Sequence, residues 1–567
     1  MKSSFKCIGL LICLCAAFYG SPLSARQPDL VLMITIDQLR GEMPRRFEQR
    51  LGPAGFRYFF DHGTVYPDAH FKHLVTSTAA GHATLFTGAH TPEHGMAGND
   101  WYDITRRQLV YNTEDRQHPV LGVPAAPGEG RSPRQLTSST IGDELVKASG
   151  GKSRVFAVSL KDRAAIIPGG QLGKAFWYSD ETGRFVTSTY YYPVYPQWVI
   201  DWNAAGYTEQ LRNQNWELLQ DRGSYVFRDQ DDRWFEKPAG MLGRTFPHPL
   251  ANPDDLEFYS ALRSTPMADQ LTLSFVKALV EAENIGGSGH TDMLAVSFSA
   301  TDYIGHDFGP NSLEAEDNLL RLDQTLQELL GYIDGQVGLD NTLVVLSADH
   351  GVATAPERMA AMGAPVERTS TQSAMQRVNR ALRARFAIES DLVIAFVGQR
   401  IYLDESIIRD SGIDLAEAER ALAEEITRVP GYYAAFGRSD LQSGALPDTE
   451  LVKLAARSMH PLRSGHVIVV QDPFWYMSDE PEGNAATHGS PWAYDTHVPI
   501  MIAGPGIHNH RVLTRVAPSD IAPTISAYLE IPRPSGATGN LLPKLMPGDG
   551  GGDWVIPAHT PVTDPTP

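Results

Sequence analysis

An α/β fold with a mostly parallel sheet flanked by helices, and with inserted lobes, is predicted by three observations. Apolar runs end in acidic residues at Asp29–Asp37 (DLVLMITID) and Asn341–Asp349 (NTLVVLSAD). A third run, Met293–Ser299 (MLAVSFS), leads through Ala300 into Thr301 and Asp302. Leu319, Leu322, Leu326, Leu329 and Ile333 recur every three or four residues, the apolar stripe of a helix that can link parallel strands. Continuous apolar runs of this length read as strands buried on both faces, and their C-terminal ends are where such sheets put their chemistry.

Taken in chain order, residues 1–25 come first: two lysines, an apolar run from Ile8 to Tyr19, then small residues through Ser24 and Ala25. That is the order of a secretory signal, so a periplasmic or secreted protein is expected, with no stable membrane insertion after cleavage. Cys13 and Cys15 lack the small preceding residue of a lipid-attachment signal. All three cysteines, Cys7, Cys13 and Cys15, fall in this leader, which leaves His, Asp and Glu as the metal ligands of a mature chain. Loss of Lys2 and Lys6 takes the formal charge from -19 to -21. So acidic a surface repels nucleic-acid backbones and anionic lipid, and no nucleic-acid partner is expected. Any positive potential for an anionic substrate must be local to its site.

The run 29–37 delivers Asp37 at a strand end. In TSTAAGHATLFTG, Thr78 is a candidate nucleophile, a hydroxyl that needs a base or a metal to become reactive. Gly81 with Ala79 and Ala80 is expected to let phosphate oxygens approach a helix start, where free N–H groups favour an anion; the plain alternative is an ordinary helix N-cap. Val155–Ser159 and Val498–Ala503 read as further core strands. Residues 176–254 are crowded with aromatics and read as a lobe beside the site, and 367–480 read as an inserted subdomain. These divide a catalytic domain over 26–545, followed by a Gly-, Asp- and Pro-rich tail at 546–567.

Asp302 and His306 are four residues apart and share one face if the turn after the strand is helical. Asp349 and His350 follow a buried run and precede Gly351, which permits the turn both would need in order to bind. His488 lies among small residues in NAATHGSP. Read singly, each is more often a cap, an Asx turn or a hydrogen-bonded histidine. Together with Asp37 they give two three-ligand sets without sulfur, a composition that suits catalytic zinc.

This ordered set resembles the alkaline phosphatase superfamily, in the branch with nucleotide pyrophosphatase/phosphodiesterase-like cores. It most resembles the bacterial periplasmic alkaline phosphatases that use a threonine nucleophile. The resemblance implies an alkaline-phosphatase-like core holding two Zn2+ ions, one on Asp302, His306 and His488, the other on Asp37, Asp349 and His350 with Thr78 reaching it. It implies hydrolysis of small phosphate monoesters through a phosphothreonine. It also implies that Asn99, in GMAGNDWYD, and Lys161 and Arg163, in SLKDRAAIIPGG, bind the phosphoryl group, while His82 supports the loop without binding metal. A monoester carries more anionic charge than a diester, and the Lys and Arg pair suits it; the bland alternative for that pair is a surface ion pair around Asp162. The sulfatase C/S-x-P-x-R string is missing, as is the acidic cluster of a third, magnesium site, and Ala80 stands where many relatives have Pro. A phosphodiesterase or nucleotide pyrophosphatase is the alternative function, and a non-catalytic exported zinc-binding protein the remote one.

Overall fold

The computed structural model describes residues 27–123, 129–251 and 254–545. The leader with its three cysteines and the tail from 546 lie outside the described residues. Nine strands make the central sheet: β1 (Leu30–Ile36), β2 (Thr64–His70), β3 (Val155–Ser159), β4 (Lys174–Ser179), β5 (Arg184–Val186), β6 (Asp292–Phe298), β7 (Thr342–Ser347), β8 (His497–Ala503) and β9 (His510–Arg511). Their order is β9-β2-β8-β7-β1-β6-β3-β4-β5.

The block β7-β1-β6-β3-β4 is parallel throughout. The predicted strand Val498–Ala503 lies in β8, which enters the sheet antiparallel to both β7 and β2. The sheet is therefore mixed and mostly parallel. Apolar content predicts that such a strand is buried, but not which way it runs.

Both faces of the parallel block are dry, as continuous apolar runs require. Alternation along each strand still sorts the side chains into two layers. Leu30, Leu32, Ile34 and Ile36 of β1 pack with Leu294, Val296, Val344 and Leu346 on one face. Val31 and Met33 pack with Met293, Ala295, Leu343 and Val345 on the other.

Four helices matter for the site: α1 (Thr78–Thr87), α2 (Asp162–Gly169), α3 (Ala300–Phe308) and α4 (Leu313–Gln336). Ser312 caps α4, accepting from the Ala315 N–H at 3.0 Å. The stripe from Leu319 to Ile333 is buried in the first layer.

Within 176–254, β4 and β5 form the edge of the central sheet, and Phe176, Phe185, Trp198 and Trp202 pack around Phe275. Between 367 and 480 lies a separate four-stranded antiparallel sheet, Val393–Val397, Arg400–Leu403, Val467–Gln471 and Tyr432–Gly437. Helices Thr371–Phe386 and Leu415–Ile426 share its core. Among the described residues no helix is long and apolar enough to cross a membrane.

Candidate metal centre and nucleophile

The parallel strands β1, β3, β6 and β7 end on one edge of the sheet, and the candidate side chains leave from there. Asp37 follows β1, Lys161 follows β3, and Asp349 and His350 follow β7. Asp302 and His306 stand on α3, just beyond β6, with His306 Nε2 3.3 Å from Asp302 Oδ1, so the expected shared face is present. Asp269 anchors the start of α3 by accepting the Ala300 N–H at 3.1 Å. His488 comes from a loop far along the chain, and its Nδ1 donates to the Thr76 carbonyl at 2.8 Å.

These residues converge. His350 Nε2 lies 3.6 Å from Asp37 Oδ1 and 3.4 Å from Asp349 Oδ2. His488 Nε2 lies 3.7 Å from Asp302 Oδ1. The His350 and His488 rings stack with centroids 3.6 Å apart. Donor atoms within 4.8 Å of one another form two triads, Asp37–Asp349–His350 and Asp302–His350–His488. The first is the set expected from sequence. In the second, the stacked His350 joins the group by distance, and His306 stands against Asp302, its Nδ1 turned to the Ala486 carbonyl at 2.9 Å.

The side chains fit a pair of cations. Asp37 Oδ1, His350 Nε2 and Thr78 Oγ1 are buried with no hydrogen-bond partner, while Asp37 Oδ2 meets the Lys161 ammonium and Asp349 Oδ2 meets His82 and His350. Polar atoms so buried are costly unless something positive or hydrogen-bonding meets them. Burial, with the charges of Asp302 and Asp349 beside it, pushes the Asp37 carboxyl up to about 8. Burial opposes ionisation of Asp302 too, but Lys161 and His306 hold it well below the usual carboxylate range. Burial together with His350 and His306 drives His488 well below the usual imidazole value, so it presents a neutral, ligating nitrogen. All donors are oxygen or nitrogen.

Thr78 opens α1. The capping position belongs to Ser77, and neither hydroxyl caps the helix, so the ordinary N-cap reading of Thr78 does not describe it. Asn99 Oδ1 accepts the Ala79 N–H at 3.0 Å, which fixes the asparagine beside Thr78 with its amide donors free of that bond. His82 is fully buried, its Nδ1 2.9 Å from the Thr78 carbonyl and 3.3 Å from Asp349 Oδ2, and its Nε2 3.1 Å from Ser297 Oγ. It links α1 to β6 and β7, a supporting position.

Gly81 has a different reason from the one expected. A Cβ there would stand 2.0 Å from the Asp349 carbonyl oxygen, so glycine lets α1 lie against the end of β7 rather than admitting phosphate. Gly81→Ala is expected to cost roughly 3 kcal/mol of stability or more and to reduce metal content, read by thermal unfolding and elemental analysis.

Lys161 is 3% exposed and bridges Asp37 Oδ2, at 2.6 Å, and Asp302 Oδ2. Arg163 donates from Nη1 to the Tyr111 hydroxyl at 3.2 Å. Lys161 makes no pair with Asp162; Arg163 Nη1 stands 4.0 Å from Asp162 Oδ1 in a half-buried pair, and Asp162 is engaged more closely by Tyr111 and by Arg131 Nε at 2.7 Å. Lys161, Arg163, Tyr111 and Arg131 line a cleft of 260 Å³ that Trp177, Tyr178, Arg263 and Tyr303 complete.

Gln38 was not singled out by the sequence. It adopts a left-handed backbone (φ 68°), donates its N–H to Asp349 Oδ1 at 3.1 Å and its Nε2 to Asp302 Oδ1 at 2.7 Å. One residue thus ties a carboxylate of each triad. Its only sequence signal is its place directly after Asp37. Tyr111 and Arg131 carried no signal, because a hairpin and a loop bring them in.

Comparison with known proteins supplies the family. Residues 31–492 match the family model described as type I phosphodiesterase / nucleotide pyrophosphatase. The chain is 32% identical over 564 residues to alkaline phosphatase PhoV of Synechococcus elongatus, covering 96% of this chain and 100% of that one. It is 32% identical over 525 residues to alkaline phosphatase PafA of Elizabethkingia meningoseptica, covering 92% and 95%. A Myroides odoratus protein named as a calcium-transporting ATPase is also 32% identical, covering 95% and 98%. The crystal structure of wild-type PafA superposes with a TM-score of 0.85 over 92% of this chain and 99% of that one. A solved PafA variant, equally similar, carries substitutions at a threonine, an asparagine, a lysine and an arginine.

Proposed function

The chain belongs to the type I phosphodiesterase / nucleotide pyrophosphatase family, within the alkaline phosphatase superfamily, and from that premise we propose an exported, zinc-dependent alkaline phosphatase. It hydrolyses small phosphate monoesters through a phosphothreonine on Thr78. The observation that carries this reading is the buried Thr78 hydroxyl, without a hydrogen-bond partner, beside two converging triads of candidate metal donors.

Thr78 Oγ attacks phosphorus as its hydroxyl proton passes to solvent, the bond to the leaving oxygen breaks, and the alcohol departs with a proton returned from solvent. Water then attacks the phosphothreonine, releasing inorganic phosphate and restoring the hydroxyl. Bound zinc would lower the pKa of the threonine hydroxyl, take up charge on the leaving oxygen and activate the water of the second step. Asp37, Asp349 and His350, with Asp302, His306 and His488, are the residues to hold it. The amide of Asn99 faces the transferred group as a donor, its Oδ1 held by the Ala79 N–H. Lys161 has one ammonium proton left after Asp37 and Asp302, and Arg163 offers a planar fork, which together answer the extra charge of a monoester. The four residue types substituted in the PafA variant recur here as Thr78, Asn99, Lys161 and Arg163 at the same intervals along the chain.

The aromatic cleft beside Arg163 favours a second reading, a phosphodiesterase whose second ester group lies against Trp177 and Tyr178. Both readings meet in one assay, kcat/KM of the zinc-loaded protein on an aryl phosphate and on its methyl diester. A monoester preference that falls by about 10²-fold in Arg163→Ala is the expected result. Diester preference, insensitive to Arg163, would place the enzyme with the phosphodiesterases.

A further inference from the structure

We propose that Tyr111 is a positioning residue that holds the Arg163 guanidinium in place for the phosphoryl group, and so sets the preference for monoesters; this rests on the phosphatase reading above. Arg163 sits in the first turn of α2 on a long, flexible stem, and a charge on such a stem contributes little unless its head is fixed. Its Nε is buried with no partner, its Nη1 reaches Asp162 Oδ1 only at 4.0 Å, and among the described residues the one hydrogen bond from its head goes to the Tyr111 hydroxyl. That oxygen accepts from Arg163 Nη1 and donates to Asp162 Oδ1. Asp162 is pinned in turn by Arg131 Nε at 2.7 Å and the Thr113 hydroxyl at 3.4 Å. The Arg131 guanidinium also covers the Tyr111 ring, 4.8 Å from its centroid. The phenol is therefore held at its face and at its tip.

The same hairpin carries Asn99. Strand Gln108–Tyr111 pairs with Asp100–Asp103, placing Tyr111 opposite Asp100. Asn112 then donates its backbone N–H and its Nδ2 to the Asn99 carbonyl, at 3.1 and 2.7 Å. Residues 99–113 thus fix one phosphoryl contact directly and buttress the other, so their spacing is set by a single rigid ribbon. Burial and the Asp162 charge push the Tyr111 phenol well above its ordinary value, which keeps it protonated as the donor this chain of bonds needs.

The test is a double-mutant cycle on the holoenzyme with the aryl monoester and its methyl diester. Tyr111→Phe keeps the ring and removes the bond. It is expected to lower monoester kcat/KM by about 10-fold, leave the diester within about twofold, and have no further effect in an Arg163→Ala background. Arg131→Met, which removes the guanidinium covering the same phenol without touching Arg163, should repeat the pattern in weaker form if Tyr111→Phe proves unstable. Equal losses on both esters, or the same loss with and without Arg163, overturn the proposal, since Tyr111 would then act on its own or only support the fold. An Arg163→Ala variant with an unchanged ester ratio sinks the monoester reading and the proposal together. A collapsed ratio with additive Tyr111→Phe removes the positioning role alone.

Discussion

Thr78→Ala is expected to lower kcat for an aryl phosphate by at least about 10³-fold, the scale on which loss of a nucleophile is felt, while metal content stays near that of the wild type. The argument is geometric. The Thr78 hydroxyl is buried, makes no hydrogen bond, and caps nothing, so the helix and the core do not need it. Ser77 holds the capping position, and the link from Asn99 runs to the Ala79 backbone, which alanine at 78 leaves intact. Metal per chain by elemental analysis beside steady-state kinetics checks both halves. Near-normal turnover would remove Thr78 from the mechanism, and loss of metal with loss of turnover would make it a ligand first.

A second large effect is expected at His350. It is the one residue in both triads, 3.6 Å from Asp37, 3.4 Å from Asp349, and stacked on His488. His350→Ala should therefore reduce occupancy of both metal positions and take activity to background, with partial recovery in excess zinc. His306→Ala, at the edge of the cluster and facing Asp302, should weaken one position only. Metal stoichiometry under a buffered zinc titration separates the two cases. A His350 variant that loses a single ion would show that its place in the second triad comes from the stacking of its ring and not from ligation. A variant that loses none would remove it from the ligand set.

What could be read from the sequence was what local pattern determines. The apolar runs that became β1, β6 and β7 each had to be buried on both faces, and their terminal acids had to emerge on one edge once the strands ran parallel. Asp37, Asp349 and His350 follow from that rule. The i, i+4 spacing brought Asp302 and His306 together because α3 is helical, as the spacing assumed. The stripe from Leu319 to Ile333 was equally local.

What escaped depends on pairing between distant segments. The direction of β8 is set by its neighbours, not by its composition. Gly81 looked like room for a ligand because its real neighbour, the Asp349 carbonyl, arrives from far along the chain. Tyr111 and Arg131 become meaningful only when a hairpin and a loop close over Asp162. Gln38 required knowing that the residue after Asp37 turns left-handed and reaches two other elements.

Arg400, from the four-stranded sheet, is 3% exposed and donates to the carbonyls of Ala97 and Asp100, on either side of Asn99. Arg463 donates to the Gly95 carbonyl at 2.7 Å in the same loop. The contact with Ala97 spans 303 residues of the chain. Asn99, beside Thr78, is therefore set by a module that is itself remote in sequence and has its own core. A substitution inside that module, far from the metals, therefore reaches the site through the two arginines that hold the 95–100 loop.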